Sequence, residues 1–207
     1  MIGTESFFER KVDKRSVKTK LYVRYRVSLR CKEIVKNELK KLNIKHSILP
    51  YGGIEFHGDV SQIKLDKLRR NLQRYGLVLL DVHESLLVNR IIITISEVIH
   101  NFEKLPKLTY SEVIAKNIGE TNESVLKIFS EVVGMSVVQF IILQKIERIK
   151  ELLLYDDMPL AEIADLLSYK SEQHLVAQFK KVTGLNPGYF KKLKKERMII
   201  ASQRSQN

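Results

Sequence analysis

The chain has 207 residues, of which 44% are hydrophobic and 29% charged, with a formal net charge of +12 and a single cysteine. One cysteine excludes an internal disulfide framework, and no apolar run reaches the ~18 residues needed to span a bilayer. The excess positive charge points to a polyanionic partner, a nucleic acid or an anionic membrane surface, without choosing between them.

Residues 1–20, "MIGTESFFERKVDKRSVKTK", are rich in Lys and Arg and show no period of 2 or 3.6, which reads as a flexible basic arm. Charges stand where a signal peptide needs an apolar region, so the expected location is cytoplasmic. From Leu21, "LYVRYRVSL" alternates like a half-buried strand, and "CKEIVKNELKKLNI" then carries a helical stripe of Ile34, Val35, Leu39 and Leu42. "IKHSIL" and "GIEFHG" are short strand-like runs joined through the turn residues of "PYGG". A second helix is predicted in "SQIKLDKLRRNLQRYG", with Ser61 as N-cap, an apolar stripe of Ile63, Leu65, Leu68 and Leu72, and Gly76 at the C-cap. "LVLLDV" reads as a buried strand. The order β-α-β-β-α-β over residues 21–83 predicts a ferredoxin-like domain.

Beyond it the strands stop, which makes the chain α+β. "ESLLVNRIIITISEVIHNF", residues 84–102, spaces Leu87, Ile91, Ile95, Val98 and Phe102 as a helix does. Helices separated by short turns continue to about Lys195, and residues 196–207 read as a flexible tail.

The helical half contains an internal repeat. "EVIAKNIGETNESVLKIFSEVVGMSVVQF" and "AEIADLLSYKSEQHLVAQFKKVTGLNPGYF" pair Ala115 with Ala164, Gly119 with Ser168, Phe129 with Phe179, Gly134 with Gly184, and Phe140 with Phe190. The pattern is that of a helix-turn-helix: a small residue permits close approach, a turn follows, and a second helix buries Val125 and Phe129, or Leu175 and Phe179. Gly134 and Gly184 stop that second helix. Between the copies "SVVQFIILQKIERIKELLLYDD" is a continuous helical pattern of about 20 residues, or ~30 Å. That is near the ~34 Å separating successive major-groove faces, so one chain can set two reading helices on the same side of a duplex.

At these residues, and most specifically in "KIERIKELLLYDDMPLAEIADLLSYKSEQHLVAQFKKVTGLNPGYFKKL", the sequence resembles the AraC/XylS family of bacterial transcription regulators. The resemblance covers roughly residues 84–193. It implies a DNA-binding domain over 84–195 with two helix-turn-helix motifs, double-stranded DNA as partner, and contact with RNA polymerase as a further possibility. The second reading helix begins near Ser171, and its face carries Glu172, Gln173, His174, Ala177 and Gln178. Gln pairs with adenine, Glu accepts from cytosine, and Ser171 suits a phosphate or base edge. The first runs from about Asn122, where Asn122, Ser124 and Lys127 are useful but Glu123 and Leu126 are poor partners, which predicts weaker, phosphate-based contacts. Ser168 stands where the family prefers glycine. Lys180 and Lys181 are candidate phosphate contacts; Lys191, Lys192, Lys194 and Lys195 also suit an ordinary solvated face.

The front domain is more faintly similar to the heavy-metal-associated fold, in which two cysteines clamp a soft ion at the end of the first strand. Here "RVSLRC" places Ser28 at the first ligand position and Cys31 at the second, and a serine oxygen replaces a thiolate poorly. Three readings stay open: a degenerate metal domain kept for packing or dimerisation, a redox thiol at Cys31, or an RNA-binding sheet using Tyr22, Tyr25 and Phe56. His46, His57 and His83 are scattered candidates for a replacement ligand. A homodimer through this domain or through the helix 84–102 is a candidate assembly. No phosphate-cradling glycine loop and no Ser-His-Asp or paired-carboxylate arrangement is evident, so neither an enzyme, a cofactor, a bound metal nor a membrane partner is expected. The leading expectation is a sequence-specific DNA-binding transcription regulator; the alternatives are a metal-handling or redox-sensing protein and a non-specific nucleic-acid-binding module.

Overall fold

The computed structural model describes residues 19–101, 123–156 and 158–204. The chain divides into two compact units, Met1–Val82 and His83–Asn207. The basic arm expected at residues 1–20 lies, up to residue 18, outside the described residues.

The first unit runs β1 (Lys20–Arg24), α1 (Leu29–Lys41), β2 (His46–Ile48), β3 (Gly53–Phe56), α2 (Gln62–Gln73) and β4 (Val78–Leu79). The sheet order is β2-β3-β1-β4 with every neighbour antiparallel, the βαββαβ arrangement read from the sequence. Leu21 and Val23 of β1 and Ile54 and Phe56 of β3 meet Val35 and Leu39 of α1 and Leu68 and Leu72 of α2 in one core. Ile63, assigned to the stripe of α2, is instead 79% exposed. It lies in the first turn, one position off the line of Leu65, Leu68 and Leu72 that faces the sheet.

Two helix ends explain how this unit closes. At the C-terminus of α1 the Ile44 N–H reaches the Leu39 carbonyl (3.1 Å) and the Asn43 N–H the Lys40 carbonyl (2.9 Å), with Asn43 at φ 49. At the end of α2, Leu77 bonds to Leu72 (3.1 Å) and Gly76 to Gln73 (3.0 Å), with Gly76 at φ 72. Both are Schellman turns, and Asn and Gly are the residues that tolerate the left-handed position. The first strand is shorter than expected: it ends at Arg24 because Tyr25 adopts φ 66, and Val27 and Leu29 leave the sheet. Ser28 then caps α1.

The second unit is helical: α3 (Val82–Asn101), α4 (Glu123–Val133), α5 (Val137–Glu151), a π-helical turn (Leu152–Asp156), α6 (Leu160–Leu166), α7 (Glu172–Thr183) and α8 (Pro187–Arg204). The α3 stripe is Val88, Ile91, Ile95, Val98 and Ile99, all buried; Leu87 is only half-buried and Phe102 lies outside the described residues. The long linker helix is α5 continued through the π turn. Of residues 196–207, expected as a flexible tail, those up to Arg204 continue α8. The Arg197 guanidinium lies over the Tyr155 ring (5.5 Å to the centroid) and donates to its hydroxyl at 3.4 Å, which ties the helix to the π turn. Among the described residues no single helix is long and apolar enough to cross a membrane.

The repeat survives in the packing. Phe129 of α4 meets Phe140 of α5 edge to face (5.5 Å, 75°), and Phe179 of α7 meets Phe190 of α8 likewise (5.4 Å, 88°). Phe140 is fully buried, whereas Phe190 is half-buried. Phe140→Ala should therefore cost about 3–5 kcal/mol in chemical denaturation of the full chain. Phe190→Ala, at the same place in the second copy, should cost distinctly less.

Candidate nucleic-acid interface

The second motif is described in full. Pro159 precedes α6, and Ile163 and Ala164 on its inner face are buried. The helix ends in a third Schellman turn: Tyr169 bonds to the Ala164 carbonyl (2.8 Å) and Ser168 to the Asp165 carbonyl (3.1 Å), with Ser168 at φ 52. The serine thus occupies the left-handed position that a glycine fills more easily. Three residues on, extended Ser171 caps α7, its hydroxyl accepting from the His174 N–H at 3.2 Å. Leu175 and Phe179 point inward, fully buried. Gly184, at φ 74, ends the helix by donating to the Lys180 carbonyl (2.8 Å), and Asn186 accepts from the Gly188 N–H (2.9 Å) to start α8.

With the inner face so occupied, Ser171, Glu172, Gln173, His174, Ala177, Lys180 and Lys181 are exposed together. Gln178 departs from the expectation. It is half-buried, and its Oε1 accepts a 2.6 Å bond from the Tyr169 hydroxyl, so it is held against the turn instead of standing on the open face. Tyr169 also meets the His174 ring edge to face at 5.7 Å. Beneath it Lys145 of α5 sets its ammonium 5.0 Å from the Tyr169 ring centre and donates to the Leu167 carbonyl at 2.7 Å. A cation at the last carbonyls of α6 also suits that helix's dipole. Burial pushes the Tyr169 phenol up to about 12 and pulls Lys145 down to about 8.

Sequence periodicity did not single out Tyr169 or Lys145. The signal for the lysine was there: it interrupts the inward line of α5 between buried Gln144 and Ile146. Tyr169 carries no such mark, because an aromatic residue after a helix end has many uses.

In the first motif Asn122, with Ala115 and Gly119, lies outside the described residues. Ser124 and Lys127 are exposed on α4 beside Glu123 and Leu126, while Val125 and Phe129 are buried. The end of this helix matches the second copy: Gly134, at φ 79, donates to the Ser130 carbonyl (2.9 Å). Ser136 and Gln139 then form a capping box that starts α5.

Among its described residues the front unit shows no comparable helix-turn-helix. Ser28 and Cys31 do come together (Oγ to Sγ 3.3 Å), and the hydroxyl bond holds the half-buried Cys31 thiol below its ordinary value. Yet Ser28 also accepts from the Cys31 N–H as helix cap, and among the described residues no three His, Cys, Asp or Glu side chains cluster. His46 is bonded to the Ile44 carbonyl (2.8 Å) and His57 to the Ser47 hydroxyl (2.9 Å). These residues do not fit a soft metal ion. Tyr22 and Phe56 are buried and Tyr25 lies beyond the strand, so the sheet presents no stacked aromatic platform.

A family model described as a helix-turn-helix domain matches residues 114–193. The uncharacterized HTH-type transcriptional regulator YtdP of Bacillus subtilis (strain 168) is 30% identical over 96 residues, 46% of this chain and 12% of that protein. The chain thus spans about an eighth of the curated relative it matches. Among solved structures it is similar to the C-terminal domain of AraT, a response regulator from Geobacillus stearothermophilus (23% identity, 52% of this chain and 84% of that one, TM-score 0.44). It is also similar to the DNA-binding domain of AdpA in complex with a target DNA (18% identity, 54% and 94%, TM-score 0.43). Residues 114–193 thus carry a helix-turn-helix domain.

Two outcomes follow from the turn. An L-residue in the left-handed region carries roughly 1–2 kcal/mol of strain, so Ser168→Gly should stabilise the protein by about 1 kcal/mol in denaturant titration. Lys145 is less easily charged when folded than when unfolded. Stability should therefore rise as pH increases from about 8 toward the ordinary lysine range near ~10.4, where the unfolded chain still binds a proton that the folded one has lost. Lys145→Met should flatten that limb.

Proposed function

We propose that the chain is a sequence-specific transcription regulator that binds duplex DNA through two helix-turn-helix motifs, α7 reading bases in a major groove and α4 following in the next. The observation that carries this reading is the construction of α7. Its first turn is capped by Ser171, its inner face is buried at Leu175 and Phe179, and Glu172, Gln173 and His174 stand exposed together at its N-terminal end. That is the end which addresses base edges in helix-turn-helix proteins. Gln173 is suited to adenine and Glu172 to cytosine, while Lys180 and Lys181 further along take phosphates. Gln178, bonded to Tyr169, serves to orient the helix rather than to read a base.

On α4 Leu126 and Glu123 share the exposed face with Ser124 and Lys127, which suits backbone contacts more than base readout. Asymmetry between the motifs makes an asymmetric site the natural target. In this reading the protein acts in the bacterial cytoplasm, where the chromosome is, without an enzymatic activity of its own, and RNA polymerase is the machinery it serves.

Selection of sites from a random duplex library with the full chain, followed by footprinting, tests the proposal. A defined site of about two major-groove turns is expected. Gln173→Ala should weaken it by about 1–3 kcal/mol and relax selectivity at one position. Lys180→Ala should weaken all duplexes alike and lower the salt slope by about one. Equal affinity for every duplex would sink the claim of sequence specificity.

A further inference from the structure

More than half of the formal +12 sits outside the helix-turn-helix unit, in the helix layer of the front domain. Residues 29–41 and 62–74 hold ten Lys and Arg against three Asp and Glu. All three carboxylates are already engaged. Glu33 pairs with Lys36 (2.9 Å) and Asp66 with Arg69 (2.9 Å). Glu38, only 4% exposed, is held between α1 and α2 by Lys41 (2.6 Å) and Asn71 (2.8 Å), and the Lys41 bond above all keeps its carboxyl below the usual range.

The remaining cations are ordered by helix geometry. α1 and α2 run antiparallel, as the Glu38 to Asn71 bond and the Lys64 to Asn43 carbonyl contact (3.5 Å) require. With Val35, Leu39, Leu68 and Leu72 turned to the sheet, Lys32, Lys36 and Lys40 form a stripe on α1 at four-residue intervals. Lys67, Arg70 and Arg74 form another on α2. The four-residue intervals are about 6 Å along a helix, and the three-residue step from Lys67 to Arg70 about 4.5 Å. Of the six, only Lys36 has an ion-pair partner among the described residues.

Like charges four residues apart destabilise a helix by a few tenths of a kcal/mol per pair, and nothing in the fold of this layer calls for them. A polyanion laid across both helices relieves that repulsion. Among polyanions, single-stranded nucleic acid needs successive aromatic rings to stack on, and neither α1 nor α2 carries an aromatic residue, Tyr75 (52% exposed) following just after α2. A membrane-surface helix needs a broad apolar face, and the outward line here is cationic.

We propose that the α1–α2 face of the front domain binds the phosphate backbone of duplex DNA, adding sequence-independent affinity to the contacts of the reading helices. The inference rests on the DNA-binding reading above, and the two can fail separately.

The experiment measures affinity of the full chain for its selected site, and for a random duplex, against salt concentration. It compares wild type with Lys67→Gln/Arg70→Gln/Arg74→Gln and with the charge-keeping Lys67→Arg/Arg70→Lys/Arg74→Lys. The neutral variant should lose about three from the salt slope, at ~0.9 per phosphate, weaken both duplexes at least tenfold, and leave the footprinted sequence unchanged. The charge-keeping variant should match wild type, which separates lost charge from lost folding. An unchanged slope with an intact footprint would overturn this proposal and leave the DNA-binding reading standing. Absence of duplex binding by wild type would overturn both. A loss confined to single-stranded RNA or anionic vesicles would move the face to those partners and overturn the duplex assignment.

Discussion

Two edge-to-face phenylalanine pairs decide what the helical unit can present. Phe129 and Phe179 each project from the inner face of a motif's second helix, fully buried, onto the aromatic ring that begins the following helix. Such a pair contributes about 0.5–1.5 kcal/mol beyond the area it buries, and it has a preferred angle. A left-handed glycine between the partners, Gly134 or Gly184, makes the chain turn sharply enough for the rings to meet. Once the inner ring is pinned, the rotation of the helix about its axis is set. The face bearing Glu172, Gln173 and His174 is then outward by necessity, since it is what remains after Leu175 and Phe179 are buried.

Rotation alone does not fix where the helix begins, and that is the work of the turn before it. Ser168 bends the chain, Tyr169 drops under the first turns of α7, and Ser171 caps it. Because the Tyr169 hydroxyl bonds Gln178 and its ring meets His174, the phenol spans the helix from its first turn to its second. Lys145 supports the same ring from α5 while closing the end of α6 at the Leu167 carbonyl. One lysine therefore links three helices, at the expense of partial desolvation that lowers its affinity for a proton. The linker helix is consequently part of the second motif's foundation as well as a spacer.

These relations also explain which features were legible beforehand. The repeat was visible because buried Phe and left-handed Gly tolerate few substitutes and their spacing is copied without a gap. The antiparallel sheet was visible because strand and helix periods alternate cleanly between Leu21 and Leu80. What periodicity could not supply was hydrogen bonding across a turn: the helical angle of Gln178 gives no sign that its side chain bonds the Tyr169 hydroxyl. Nor could it show that the first strand stops at Tyr25, since a left-handed tyrosine is unusual and leaves no compositional trace. The helix beyond residue 196 was missed for a related reason. "RMIIASQR" has no clear polar and apolar faces, and its anchor, Tyr155 under Arg197, lies 42 residues away in sequence.

The Ser28 and Cys31 pair shows how one spacing can serve two chemistries. Positions three apart across a helix start bring two thiolates onto one soft ion, and they are equally an N-cap and the residue whose N–H it receives. With serine at the first position the second use is realised: the hydroxyl accepts from the Cys31 N–H at 3.4 Å and α1 begins there. A cysteine in that place would be a weaker cap. Serine at this position is thus a cap, and α1 holds its start through the chain's own hydrogen bonding. That matters beyond the first turn, because the direction of α1 is what lines up Lys32, Lys36 and Lys40 along one side of the helix while Glu38 faces Asn71 of α2.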